Sequence, residues 1–307
     1  MTSMMWLSLG IVILTFVAVM LVAGNNLSVC IGPAVGSRTI SKRFGTLLGA
    51  VGFTLGLLIQ GAGMTKTVTV LLPNISMQLR AEALLVAILI FVIADLMRTP
   101  LSFTMVLVGL IAGFSMVAGV MTKTLYLAEV VSVWVAAPLI SIVFAFYLIR
   151  FLNRERPKNL WRRLETYKVL LIVLAFSTSY VLGANTIGLI VATGSFNILN
   201  LAAAIIGVFV GTFFLSAGEI RRVAEELFLM RYPNATVSLI ASTVLVEAAT
   251  VLKIPLSNTQ ALSAAVFGTG LSYKSKFVSL KPFLLTVTGW VIAPLLSFAL
   301  GVAIAKI

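Results

Sequence analysis

The chain reads as an all-α polytopic membrane protein made of two inverted repeats, each with a broken helix, further crossings and a re-entrant helical hairpin. Three observations predict this: its composition, its spacing of apolar runs and a duplicated set of motifs. Of its 307 residues 60% are hydrophobic and 10% charged, with mean hydropathy +1.13. A soluble globule carries about 45–50% apolar and about 25% charged residues. Apolar runs of roughly 15 to 25 residues alternate with short basic loops, as a helical bundle in a ~30 Å hydrocarbon layer requires. No run alternates with the period of two that a transmembrane barrel needs.

The duplication is carried by three collinear anchors. Pro100-Leu101-Ser102-Phe103-Thr104 matches Pro255-Leu256-Ser257-Asn258-Thr259 at a separation of 155. Trp134-Val135-Ala136-Ala137-Pro138-Leu139-Ile140-Ser141 matches Trp290-Val291-Ile292-Ala293-Pro294-Leu295-Leu296-Ser297 at 156. Asn25, in Ala23-Gly24-Asn25-Asn26, matches Asn185, in Gly183-Ala184-Asn185-Thr186, at 160. Near-constant offsets define a first repeat over 1–152, a basic linker over 153–168 and a second repeat over 169–307, the repeats together forming one transport domain.

In order, Leu7 to Gly36 is a crossing with a predicted break at Gly24-Asn25-Asn26. Trp6 to Ala23 is not a signal peptide, having no basic residue before it and no small-residue cleavage site after it. Phe44 to Gly61 is a second crossing whose Gly45, Gly49, Gly52 and Gly56 give the small-residue spacing that lets backbones approach in lipid. The more polar Met64 to Leu79 is a loop with an interfacial helix. Glu82 to Met97 and Met105 to Met121 are hairpin arms around the first polar tip, and Leu125 to Phe151 is a long crossing. The second half repeats the plan. A broken crossing runs from Val169 to Gly194, Leu199 to Ala217 is a crossing and Glu219 to Arg231 a charged connector. Arms Val237 to Leu252 and Ala261 to Leu271 flank the second tip, and Phe283 to Ala305 is the last crossing.

A hairpin that enters and leaves on one side gives each half three crossings, and an odd number inverts the halves. With the linker in the cytoplasm, 16 of the 22 basic residues fall on that side, from Arg38, Lys42 and Arg43 through the linker to Lys281. This accounts for the net charge of +13 by topology, without a nucleic-acid partner, and places both termini outside the cell membrane.

Backbone that leaves a helix at membrane depth needs protein or water around it. Four predicted breaks, at Asn25-Asn26, Ser102-Thr104, Asn185-Thr186 and Ser257-Gln260, would bring four helix N-termini together as an anion site. Its candidate ligands are Ser102, Thr104, Ser257, Asn258, Thr259, Gln260, Asn25 and Asn185. The plainer alternative at each tip is an N-cap. Ionisable groups in the hydrocarbon are functional candidates. Asp95, the one aspartate, and Glu247 therefore qualify for cation or proton coupling, unless they pair with Arg98 and Lys253. A single cysteine, Cys30, rules out an internal disulfide framework, and the lack of histidine disfavours a zinc site. No paired carboxylates or clustered metal ligands lie near a tip, so an enzyme is not expected.

Ala23-Gly24-Asn25-Asn26-Leu27-Ser28-Val29-Cys30, Gly183-Ala184-Asn185-Thr186-Ile187-Gly188 and the tip Pro255 to Gln260 resemble the motifs of the inorganic phosphate transporter (PiT) family, which includes sulfate permeases. The resemblance implies a symporter that takes up phosphate, or alternatively sulfate, with sodium or a proton, and no other cofactor. A passive anion channel on the same scaffold is the third reading, and a homodimer in lipid is compatible with all three. It also implies anion contacts at Asn25, Asn185, Ser257 and Thr259. The family's aspartate is replaced by Asn26 and Thr186, its second asparagine by Val29 and Leu189 and its histidine by Gln260. Losing two carboxylates weakens a sodium site, since a hard cation prefers anionic oxygens. Coupling is therefore assigned across Asn26, Thr186, Glu247 and Asp95, with sodium and proton both open. Hydrogen phosphate can donate a hydrogen bond and sulfate cannot, so an acceptor such as Glu247 near the site would favour phosphate.

Overall fold

The computed structural model describes residues 2–73, 75–97, 101–119, 124–154, 159–216, 232–272 and 280–306. Twelve α-helices are described among them: α1 (Thr2–Gly36), α2 (Lys42–Ile59), α3 (Thr65–Leu71), α4 (Met77–Leu96), α5 (Phe103–Val117), α6 (Thr124–Leu152), α7 (Leu160–Leu182), α8 (Gly188–Gly194), α9 (Ile198–Val210), α10 (Tyr232–Val251), α11 (Asn258–Leu271) and α12 (Leu280–Ile304). A 3₁₀ turn, Gly61–Met64, joins α2 to α3, and π-helical turns at Gly183–Ile187 and Gly211–Leu215 follow α7 and α9. The predicted connector 219–231 and the residues Arg98, Thr99 and Pro100 of the first tip lie outside the described residues. α7 begins at Leu160, within the stretch read as linker.

Among the described residues seven segments are long and apolar enough to cross a membrane: α1, α2, α6, α7 with α8, α9 with its π turn, α10 and α12. The second hairpin arms differ. α5 has 15 residues and α11 has 14, about 22 Å of helix at 1.5 Å per residue, well short of a ~30 Å hydrocarbon layer.

Glycines set the packing. A methyl on Gly52 would lie 3.0 Å from the carbonyl oxygen of Phe176, and one on Gly56 would overlap that of Tyr180. In the other half a methyl on Gly207 would lie 2.8 Å from the carbonyl oxygen of Phe16, and one on Gly211 would overlap that of Met20. Each pair of glycines is 155 positions apart and each pair of partners 160, so one contact is made twice. α2 is thus pressed on α7 as α9 is pressed on α1.

The register of these contacts gives the helix directions. Positions rise together along α9 and α1 (Gly207 on Phe16, Gly211 on Met20) and along α2 and α7, so both pairs run parallel. Along α1 and α2 they run oppositely, Gly45 lying against Val35 and Ile31 and Gly49 against Leu27. The first helix of one repeat is therefore parallel to the second crossing of the other, which is the geometry of inverted repeats.

The hairpins exchange partners between halves. Gly109 and Gly113 of α5 abut Ser297, Phe298 and Gly301 of α12. Trp134, Ser141 and Ile142 of α6 meet Pro255, Ala261 and Gly268 of the second hairpin. The outer faces of α6 and α12 carry exposed Val135, Leu139, Val143, Val291 and Leu295, as lipid-facing helices do.

One expectation is corrected here. α1 runs unbroken for 35 residues through Gly24, Asn25 and Asn26. Gly24 is there for close approach, since a methyl on it would lie 2.9 Å from the carbonyl oxygen of Gly211. With the second break a π turn inside a continuous segment, only the tips at Ser102 and Ser257 offer helix N-termini, so the four-terminus arrangement is not formed.

Overpacking of this kind costs about 1–3 kcal/mol, so Gly56→Ala is expected to lower the thermal unfolding midpoint in detergent. Gly10→Ala, where nothing lies within 4 Å, should leave it unchanged or raise it. Equal midpoints for the two variants would refute a spacing role for Gly56.

Candidate functional site

The π turn Gly183–Ile187 is where the two hairpins meet. Asn185 is fully buried, and its Nδ2 donates to Thr250 Oγ1 at 3.0 Å and to the Ile254 carbonyl at 3.1 Å. Its Oδ1 accepts from the Leu256 N–H at 3.0 Å. One amide thus replaces the bonds that the backbone loses where it leaves α10, which ends after Val251 with Lys253 at φ 62°. Next to it, Thr186 Oγ1 lies 3.2 Å from Thr104 Oγ1 of the first hairpin. Adjacent residues of the second repeat therefore hold one hairpin each.

The second tip is also clamped from α6. Pro138 lacks an N–H, so the carbonyl of Trp134, four residues back, has no helical donor. Gln260 Nε2 supplies one at 2.9 Å, and Trp134 Nε1 in turn donates to the Pro255 carbonyl at 2.7 Å. Sequence reading paired Trp134 with Trp290 as a repeat marker but missed this role. The proline four residues after a tryptophan is the signal that was present.

Ser102 and Ser257 cap α5 and α11, accepting from the Met105 N–H at 3.4 Å and the Gln260 N–H at 3.3 Å. Ser257 Oγ also lies 2.9 Å from Thr259 Oγ1. Asn258, in the first turn of α11, is different. It is only 4% exposed, yet its Nδ2 and Oδ1 both lack a hydrogen-bond partner, as does Oε1 of Gln260, 3% exposed. Leaving a buried polar group unsatisfied costs about 1–3 kcal/mol, so these atoms are set for something the protein alone does not supply.

In the first half, half-buried Asn25 donates from Nδ2 to Asp95 Oδ1 at 3.1 Å. Asp95 and Thr250 are 155 positions apart, so this contact is the counterpart of Asn185 on Thr250, with a carboxylate in place of a hydroxyl. Asn26, also half-buried, has no side-chain hydrogen bond among the described residues. Glu247, on α10, accepts from Gln60 Nε2 at 2.9 Å instead of pairing with Lys253. Gln60, the C-cap of α2, went unnoticed in the sequence, although it is a polar residue ending an otherwise apolar crossing. Among the described residues no group of three or more His, Cys, Asp or Glu is placed to hold a metal ion.

Inverted repeats, hairpin tips meeting at a π turn and buried polar atoms awaiting a ligand define a membrane transporter. The profile of the phosphate transporter family matches residues 22–169 and again 154–301, and the chain belongs to that family, one of transporters rather than of enzymes. It is 23% identical over 301 residues to a putative phosphate permease of Methanocaldococcus jannaschii, covering 96% of this chain and 95% of that one. It is 26% identical to a sulfate permease of Bacillus subtilis, covering 96% and 86%. A zebrafish sodium-dependent phosphate transporter is 32% identical over 144 residues, which are 41% of this chain and 22% of that one. The fold is that of a solved sodium-dependent phosphate transporter, with TM-score 0.81 over 98% of each chain at 19% identity.

Asn185→Leu is expected to cost about 1–3 kcal/mol for each group it leaves unpaired, and to speed hydrogen exchange at Leu256. Asn258→Ala should destabilise less than Asn185→Leu, since its amide makes no hydrogen bond within the protein. Comparable destabilisation by both, measured by thermal unfolding in detergent, would refute the division between strut and ligand residue.

Proposed function

We propose that the protein is a symporter of an inorganic oxyanion, phosphate ahead of sulfate, driven by a coupling cation and working by alternating access between two re-entrant hairpins. The observation that carries this reading is Asn258, buried at the N-terminus of α11 with both amide atoms unpartnered. Ser257 satisfies only the Gln260 N–H, leaving the N–H groups of Asn258 and Thr259 beside the Asn258 amide as anion donors. Hydroxyls of Ser257, Thr259, Ser102 and Thr104 add to the set, and Gln260 Oε1 is an acceptor for the hydrogen of hydrogen phosphate. Asn185 contributes by holding the tip, and Asn25 by holding Asp95. Support for phosphate comes from the relatives named as phosphate permeases and for sulfate from the one named as a sulfate permease.

Coupling rests on Asp95 with Asn25 and Asn26 in the first half and on Glu247 and Thr186 in the second. Relatives and a fold neighbour named as sodium-dependent favour a cation, which is sodium or a proton. Residues 1–152 and 169–307 act as one transport unit, with the basic segment 153–168 in the cytoplasm and both termini outside. The short arms α5 and α11 favour hairpins that re-enter rather than cross.

Proteoliposomes given labelled phosphate or sulfate, with sodium and proton gradients imposed separately, should accumulate phosphate above equilibrium under at least one gradient. Flux indifferent to both gradients would make the protein a passive channel, and no movement of either anion would overturn the reading. Asn258→Ala should weaken apparent affinity about 10–100-fold, the value of a hydrogen bond to a charged group.

A further inference from the structure

Gln60, the C-cap of α2 in the first half, reaches Glu247 on the hairpin arm α10 of the second. Gln60 Nε2 donates to Glu247 Oε1 at 2.9 Å. The remaining oxygens, Gln60 Oε1 and Glu247 Oε2, are both buried and both without a partner. Two acceptors cannot satisfy each other. A single proton on Oε2 resolves both, since a carboxylic acid and a primary amide close a ring of two hydrogen bonds, N–H to C=O and O–H to C=O.

The surroundings of Glu247 are polar but offer it no charged partner among the described residues. Glu247 lies between two polar contacts that tie α10 to α7 and the π turn: Thr243 with Thr178 at 2.6 Å, one turn before it, and Thr250 with Asn185, one turn after. Tyr180 of α7 is a titratable group within electrostatic reach of it. Among the described residues, α1, α6, α11, the π turn and the 3₁₀ turn present no cation paired with Glu247, and Lys253 of its own arm lies over Gly63 instead.

The other half is an internal control. At the 155-residue offset the counterparts of Glu247 and Gln60 are Val92 and Leu215. The fold is built at those positions from apolar residues, so the acid–amide pair is not a requirement of the architecture.

We propose that Gln60 and Glu247 form a protonated acid–amide pair that bonds the two repeats, and that this pair is the site of the coupling proton. This rests on the symporter reading above and specifies its cation. When a pathway to water opens, the O–H bond at Oε2 breaks and the proton leaves to water. The electron pair stays on the carboxylate, and the ring to Gln60 opens to a single bond. Reprotonation from the other side restores it, so the bond between repeats is linked to proton release. Gln60 is the positioning residue.

Three measurements on the full-length protein test this. In lipid at neutral pH the wild type should show the infrared band of a protonated carboxyl that Glu247→Gln removes. Gln60→Leu should move that band to higher frequency, because its carbonyl loses a donor. In proteoliposomes, a pH difference of one unit can concentrate an anion about tenfold per coupled proton. Glu247→Gln and the double variant Gln60→Leu/Glu247→Val, which copies the other half, should lose this accumulation, and a single symmetric peak on size exclusion in detergent shows that each variant is folded. A wild type without a band attributable to Glu247, or a Glu247→Gln protein that still accumulates phosphate on a pH difference, would overturn the pair. So would a wild type driven by sodium alone, and that result would leave the symporter reading standing. Failure of the wild type to move either anion under any gradient would overturn the symporter reading instead, and the infrared result would still decide the pair.

Discussion

A peptide chain that unwinds inside a hydrocarbon layer must have its N–H and C=O groups satisfied by protein, because lipid offers no partner. At the second tip that demand falls on very few side chains. Asn185 bonds the Ile254 carbonyl and the Leu256 N–H on one side, and Trp134 bonds the Pro255 carbonyl on the other. Two consecutive peptide units, spanning Ile254 to Leu256, are thereby fixed by one residue from each repeat. The tip can be irregular, with helix-starting N–H groups left over, only because those partners come in from outside it. Gln260 completes the arrangement by occupying the carbonyl that Pro138 leaves free, so a defect in α6 and a defect at the tip satisfy one another.

Much of this was legible in the residues. The repeats could be read because their anchors are the side chains that make the cross-repeat contacts: Trp134 and Ser141 on the second hairpin, Ser297 against Gly109 of the first. The glycines of the second crossing were readable as packing residues, and are. What sequence could not give is which helix lies across which. Gln260 bonding the Trp134 carbonyl joins positions 126 residues apart, and neither composition nor spacing encodes that. The break at Asn25-Asn26 failed for a physical reason. Glycine and asparagine permit a break, but a helix unwinds only when a tertiary contact repays its lost bonds. Asn185, in a π turn of an otherwise continuous helical segment, bonds the hairpin at three points through its amide; Asn25, in a regular α-helix, bonds Asp95 at one.

The two halves therefore share a scaffold but not a chemistry. Thr250 and Asp95 occupy equivalent positions, one a neutral partner and the other an acid. Met105 occupies the place of Gln260 and has no amide to offer. Duplication supplied two similar hairpins, and substitution at a few contact points gave them different polar environments.

The glycine contacts carry a mechanical consequence. Where α2 meets α7 and α9 meets α1, backbone rests on backbone with no room for a methyl, so sliding along those seams meets immediate steric resistance. Side chains can change rotamer; carbonyl oxygens held in a helix cannot. The same holds where α5 meets α12 and α6 meets α11: a methyl on Gly113 would overlap the carbonyl oxygen of Phe298, and one on Gly268 that of Ile142, so each hairpin arm is locked to the helix it rests on. Each pair joins a hairpin arm of one repeat to the last crossing of the other, so any displacement of a tip is transmitted along a full membrane-length lever to the opposite half of the molecule.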